Sequence, residues 1–155
     1  MDKNDYAILK FLKKNARTKA SFISSRINMS VSSVLDRIRK MEDFGIITGY
    51  TAVINEKALG NDVTALMEVT LEHPRYYDSF TEVISKHPNI VDCYYLTGDY
   101  DFNLKICCST STQLEEIHRT IKSLNGVSST RTHFVLKEVK NIYCTVPANS
   151  SDDHP

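Results

Sequence analysis

The residues best suited to do chemistry lie in two short stretches. The first is Ser30-Val31-Ser32-Ser33-Val34-Leu35-Asp36-Arg37-Ile38-Arg39-Lys40-Met41, which mixes small hydroxyls with cations. Val34, Ile38 and Met41 stand at i, i+4 and i+7, and Val31 extends that stripe backwards, so these four share one face of a helix. The other side then carries Ser32, Ser33, Asp36, Arg37 and Lys40, with Arg39 on the flank. Ser30 is a natural N-cap for this helix, and Gly45 is a natural stop. Cations neutralise phosphates, while small polar groups near a helix N-terminus can reach base edges in a major groove. Arg17, Lys19, Arg26, Arg39 and Lys40 are the candidate phosphate contacts. Ser32, Ser33, Asp36 and Arg37, with Ser30 at their head, are the candidate base contacts. Two alternatives stand beside this reading. Arg37 could form a structural pair with Glu42, Asp43 or another acid. Asp36 could accept from cytosine N4, or pair with Lys40 four residues on, which is the preferred reading.

The second stretch is Thr97-Gly98-Asp99-Tyr100-Asp101. Turn N–H groups at Gly98 and Asp99 can cradle a carboxylate. Asp101 can receive an ammonium, and Tyr100 can cover a side chain, so the set suits a free amino acid. The plainer alternative is a glycine turn whose aspartates make local hydrogen bonds. Elsewhere Ser, His and acidic residues are too scattered to suggest a triad, and there is no glycine-rich phosphate loop. His73, His87, His118 and His133 are isolated. Cys93, Cys107, Cys108 and Cys144 show neither C-x-x-C spacing nor a histidine at zinc-ligand spacing. The first three fall in apparent strands, where a thiol is most often a small core residue, and no disulfide is expected. No cofactor or metal site is expected.

These groups must be positioned by a regular framework. A helix over about Asp2–Asn15 has Ile8, Leu9, Phe11 and Leu12 on its apolar face and Asp2 as N-cap. A short helix over Ser21–Ile27 presents Phe22, Ile23 and Ile27 to the same core. Asn28-Met29-Ser30 turns the chain into the Ser30–Met41 helix, giving a helix-turn-helix pattern. Ile46–Ile54 alternates like a strand. Beyond the Gly60 linker come a strand over Val63–Glu72, a helix over Arg75–Lys86 with Tyr76, Phe80, Val83 and Ile84 inward, and a strand over Ile90–Leu96. A strand over Phe102–Cys108 follows, then a helix over Ser111–Leu124 with Leu114, Ile117 and Ile121 inward, and a long strand over Val127–Val139. That order is the ferredoxin-like βαββαβ unit, with one sheet face left open for a second copy. The Ser/Asp/Pro-rich end of the chain reads as disordered.

Ser30-x-x-x-Val34-x-x-Arg37-Ile38-x-x-Met41-Glu42-x-x-Gly45-Ile46-Ile47-x-Gly49-Tyr50 resembles the DNA-binding domain of the Lrp/AsnC, or feast/famine, transcription regulators. Asp2, Asp5, Ile8, Leu9, Leu12 and Arg17 fit the helix preceding it there, and Thr97–Asp101 matches that family's T-G-x-Y-D. The resemblance runs from Asp2 to about Lys140. It implies an α+β fold: an N-terminal winged helix-turn-helix followed by a C-terminal ferredoxin-like βαββαβ domain for effector binding and oligomerisation. It also implies that effectors bind around the Thr97–Asp101 loop near a subunit boundary, with Thr132 lining the same pocket. The expected domains are 1–50 for DNA binding, 51–62 as strand and linker, 63–142 for effector and assembly, and 143–155 as tail. The expected partners are double-stranded DNA, a small-molecule effector such as an amino acid, and further copies of the chain as a dimer or a higher oligomer such as an octamer.

Composition bounds the function. The 155 residues balance at a formal charge of zero, but residues 1–50 hold ten Lys/Arg against five Asp/Glu, and the remainder hold nine against fourteen. A basic half joined to an acidic half predicts a polyanionic partner for the first alone. No apolar run approaches the roughly 18 residues of a membrane span, and the N-terminus is too polar for a secretory signal, so a cytoplasmic protein is expected. Two other functions remain open. A siroheme-decarboxylase-like enzyme would have the same two domains, but its tetrapyrrole carboxylates would need basic side chains that here concentrate on the helix-turn-helix. A weakly specific architectural DNA-binding protein would show little discrimination between sequences.

Overall fold

The computed structural model describes residues 1–141 and 144–147. Most of the tail expected to be disordered lies outside these described residues. Residues 1–53 form one compact unit and residues 54–139 a second, and the described residues from Lys140 onward group with the first.

The first unit is three helices: α1 (Lys3–Lys14), α2 (Ala20–Ile27) and α3 (Val31–Asp43). Each start and stop follows from local chemistry. Asp2 Oδ1 accepts from the Asn4 and Asp5 N–H groups, and Asp5 Oδ2 accepts the Asp2 N–H at 2.7 Å, a closed capping box. Asn28 ends α2 in the left-handed conformation. Ser30 Oγ accepts the Ser33 N–H at 3.1 Å and starts α3. Ile8, Ile23, Val34 and Met41, one or two from each helix, make the core. Two residues expected inward are not. Phe22 is half-exposed, edge-on to Phe11, and Val31 is exposed at the open end of the α3 stripe.

The strand expected over Ile46–Ile54 does not form, and residues 46–55 carry no ladder. A strand needs a neighbour for its backbone N–H and C=O groups, and none of the described strands lies alongside. Its alternation leaves Tyr50, Val53 and Ile54 exposed, although the Tyr50 hydroxyl donates to Glu42 at 2.7 Å. Part of the expected linker is ordered as a 3-10 turn, Glu56–Leu59, capped by the Asn55 side chain.

The second unit contains β1 (Val63–Leu71), α4 (Tyr77–Ser85), β2 (Ile90–Tyr95), β3 (Phe102–Cys108), α5 (Ser111–Lys122) and β4 (Val127–Phe134). The four strands form one antiparallel sheet in the order β2-β3-β1-β4, the ferredoxin-like arrangement. The register pairs Ala65 with Ile106, Met67 with Leu104 and Val69 with Phe102, so all six side chains point to one face. Phe80 and Ile84 of α4 and Leu114, Ile117 and Ile121 of α5 cover that face. Val83, expected inward, is exposed, and Tyr76 belongs to a 3-10 turn ahead of α4. β4 ends at Phe134, five residues short of expectation. Beyond it Leu136 and Val139 are almost fully exposed.

The sheet face left open is of mixed polarity. With the aliphatic residues of β1 and β3 turned to the helices, register leaves Thr64, Leu66 and Glu68 on the other side, beside Lys105, Arg131 and His133. Exposed apolar side chains gather instead at the two edges: Val91, Tyr94 and Tyr95 on β2 with Leu96 just beyond it, and Phe134 at the end of β4. Cys93, expected in the core, is exposed on edge strand β2, whereas Cys107 and Cys108 are buried.

Candidate functional site

Two candidate sites occupy separate units. In the first unit, Ser30, Ser32, Asp36, Arg39 and Lys40 are exposed on or at the cap of α3, and Ser33 is half-buried. Ser32, Asp36 and Arg39 stand at i, i+4 and i+7, so they form the centre of the outward face, and Lys40 lies beside Asp36. Arg39, read as flanking, is therefore central. The hydroxyls of Ser32 and Ser33 lie 3.0 and 2.8 Å from Ser30 Oγ. The ion pairs among the described residues do not include Asp36 with Lys40, so the preferred pairing is not formed. Arg17 and Lys19 are exposed in the connection before α2, and Arg26 stacks over the Phe22 ring at 5.1 Å.

Arg37 has a different role from its neighbours. Its Nη1 donates to Asp2 Oδ2 and Asp5 Oδ1, both at 2.7 Å. The structural alternative is thus realised, with the acids of α1 and not with Glu42 or Asp43. Each aspartate uses its other oxygen in the capping box, so one hydrogen-bonded ring ties the start of α1 to the middle of α3. The Asp5 N–H and then the Arg37 guanidinium hold the Asp2 carboxyl below its ordinary value of 3.8. A lowered folded-state pKa means that this contribution is complete above about pH 4 and disappears as pH falls through the lowered value. Below pH 4, Asp2→Asn should therefore show a shallower fall of stability with pH than the parent, which urea titrations at pH 2–5 followed by circular dichroism will measure. Equal slopes would show that the ring does not link proton binding to folding.

In the second unit, Thr97, Gly98 and Asp99 are exposed between β2 and β3, while Tyr100 and Asp101 are half-buried. Gly98 has φ +133°, a conformation that side chains rarely adopt, although the space around it is open. The Leu96 N–H donates to the Asp101 carbonyl at 2.8 Å and closes the turn. The Asp101 N–H donates to the Val69 carbonyl at 3.0 Å, and Asp101 Oδ2 accepts the Leu71 N–H at 2.6 Å. This carboxylate therefore anchors the loop to β1 as well as presenting charge. Asp101→Ala should cost about 1–3 kcal/mol, because it strands a half-buried N–H, and Asp101→Asn should restore most of that by keeping an acceptor. Chemical denaturation of the three proteins checks this, and an alanine variant as stable as the parent would refute it.

Thr132 sits opposite Met67, on the helix-covered face, and its buried Oγ1 lacks a hydrogen-bond partner. Arg131, the next residue, lies on the other face, and its guanidinium stands 5.2 Å from the Tyr100 ring centroid. Arg131 is paired in register with Glu68, whose buried Oε2 has no hydrogen bond and lies 3.6 Å from His133 Nε2. The sequence singles out neither Glu68 nor Arg131 and reads His133 as isolated, whereas the fold sets it beside Glu68. Their signal was the out-of-phase charge in strands whose alternate residues are apolar or hydroxylic. Together with the loop they offer carboxylates at Glu68, Asp99 and Asp101, one guanidinium and free turn N–H groups, the complement of a zwitterion.

Residues 1–48 match a family model described as winged helix-turn-helix DNA-binding, and residues 64–143 match one described as the Lrp/AsnC ligand binding domain. The chain is 33% identical over 143 residues to the leucine-responsive regulatory protein of Escherichia coli K12, covering 90% of this chain and 87% of that one. The structure superposes on AsnC of E. coli with a TM-score of 0.87 at 28% identity, covering 95% and 99% of the two chains. It also superposes on a Neisseria meningitidis transcriptional regulator in complex with L-Met, with a TM-score of 0.88 at 28% identity and coverage of 92% and 94%.

Proposed function

This chain belongs to the Lrp/AsnC family of transcription regulators, and from that premise we propose that it binds specific double-stranded DNA through residues 1–50 and answers to an amino acid or a related metabolite through residues 63–142. The observation that carries the reading is the outward face of α3. It presents small polar and cationic residues on a rigid three-helix unit with twice as many basic as acidic residues. Arg17, Lys19, Arg26, Arg39 and Lys40 contact phosphates in this proposal, while Ser32, Ser33 and Asp36 face base edges. Arg37 acts by holding α3 against α1.

The effector lies against Thr97–Asp101. Its carboxylate meets the turn N–H groups and Arg131, and its ammonium meets Glu68, whose buried oxygen lacks a hydrogen bond. The Neisseria relative supports an amino acid of this kind, since it is described as a complex with L-Met. The chain acts by binding and not by catalysis, and the relatives named above are regulators. No helix among the described residues is long and apolar enough to cross a membrane, and we place the protein in the cytoplasm. We also propose a homodimer that builds a higher oligomer such as an octamer, through the apolar edges at β2 and Phe134. Light scattering that reports a monomer at micromolar concentration would refute that assembly.

Footprinting on DNA upstream of the protein's own gene, with and without a panel of free amino acids, tests the whole reading. A protected region whose extent or affinity changes with one amino acid is the expected result. Binding that ignores sequence would favour an architectural role, and no binding would remove the DNA-directed reading.

A further inference from the structure

The outward face of α3 is not wholly polar. Val31 and Leu35 stand at i and i+4 and are 41% and 51% exposed, forming an apolar flank beside Ser32 and Asp36. The flank falls in the first two turns, the part of a recognition helix that meets base edges. The groups able to read purines are missing from those turns. Arg37 is held by Asp2 and Asp5 and so does not reach out for guanine, and there is no Asn or Gln for adenine. The Ser32 and Ser33 hydroxyls are engaged with Ser30 Oγ. Beside the polar atoms of Ser32, Ser33 and Asp36, the surface left to touch a base is the hydrocarbon of Val31 and Leu35. The apolar feature of major-groove base edges is the thymine C5-methyl. Arg39 and Lys40 on the following turn supply the charge that brings a duplex to this surface.

We infer that Val31 and Leu35 are specificity-determining residues that read thymine methyl groups in the major groove. The inference rests on the DNA-binding reading above and adds the base that it prefers. Four residues of helix rise about 6 Å, close to two base-pair steps, so the two side chains select thymines about two steps apart within each half-site.

The experiment begins with selection of preferred duplexes from a random library by the full-length protein. Each thymine of the selected site is then replaced in turn by deoxyuridine, which removes the methyl and keeps every hydrogen-bonding group. One or two replacements per half-site should weaken binding by the parent about fourfold, the loss expected for one buried methyl-sized group. In Leu35→Ala or Val31→Ala the replacement at the thymine read by the removed side chain should change binding less than twofold, while the replacement at the other thymine keeps its effect. Alanine is a good helix former at these exposed sites, so α3 should persist, and affinity for random DNA should match the parent. Deoxyuridine replacements without effect on the parent, or an unchanged effect in both variants, would overturn the inference and leave the regulator reading intact. Leu35→Ala that binds the selected site like the parent but changes the molar mass would also overturn it, assigning the flank to contact with another copy. A selection that enriches no sequence would overturn the specific-regulator reading itself, and this inference with it.

Discussion

Gly126→Ala should destabilise the second unit by about 2–5 kcal/mol. Two costs combine at this position. The backbone there has φ +86°, which costs a residue with a side chain on the order of 1–2 kcal/mol. A Cβ would also fall within the Tyr76 ring, whose nearest atoms are Cγ, Cδ1 and Cδ2, and such overpacking costs about 1–3 kcal/mol. The closest atom is Cγ, which lies on the axis about which the ring turns, so turning the ring does not relieve the contact. Arg75 stacks on the ring at 4.8 Å and donates to its hydroxyl at 2.8 Å, and the Gly126 carbonyl accepts the Glu72 N–H at the end of β1. The change should lower the melting temperature by about 10 °C or more. Tyr76→Ala in the same background should recover the overlap part and leave the backbone part, a non-additivity that a double-mutant cycle reads directly. A Gly126→Ala protein that melts with the parent would show that Tyr76 does not pack against this turn as described.

The second large effect concerns the DNA face. Neutralising Arg39 and Lys40 together should weaken binding to any duplex on the order of 50-fold at about 0.1 M salt, and should lower the slope of log K against log salt by about 1.8. Both side chains are exposed on α3 and outside the Asp2–Arg37–Asp5 ring, so folding should be unaffected. Amino-acid binding, if it resides at Thr97–Asp101 and Glu68, should survive in the double variant, because that site belongs to the other unit. Salt titrations of duplex binding and calorimetry with an amino-acid panel separate the two. An unchanged salt slope would mean that phosphates are met elsewhere, with Arg17, Lys19 and Arg26 the next residues to replace.

Much of this architecture was legible in the chain because it depends on local chemistry. The Asp2 and Ser30 caps, the Val34, Ile38 and Met41 stripe, the alternation along β1 and β3 and the inward residues of α5 all follow from the period of the element and the capacity of one side chain. Basic character concentrated in residues 1–50 is likewise a property of composition alone.

What the sequence left open were choices between partners distant along the chain. Arg37 could be read as a base contact until Asp2 and Asp5 took its guanidinium, because an ion pair spanning 35 residues leaves no periodic trace. Asp101 looked free to meet a ligand, and the antiparallel ladder brought it the Leu71 N–H. Which sheet face would be apolar depended on register, and a shift of one residue would have exchanged the two. The strand read into Ile46–Ile54 had the right alternation, but a ladder also needs a neighbour, and only the tertiary structure decides whether one is there.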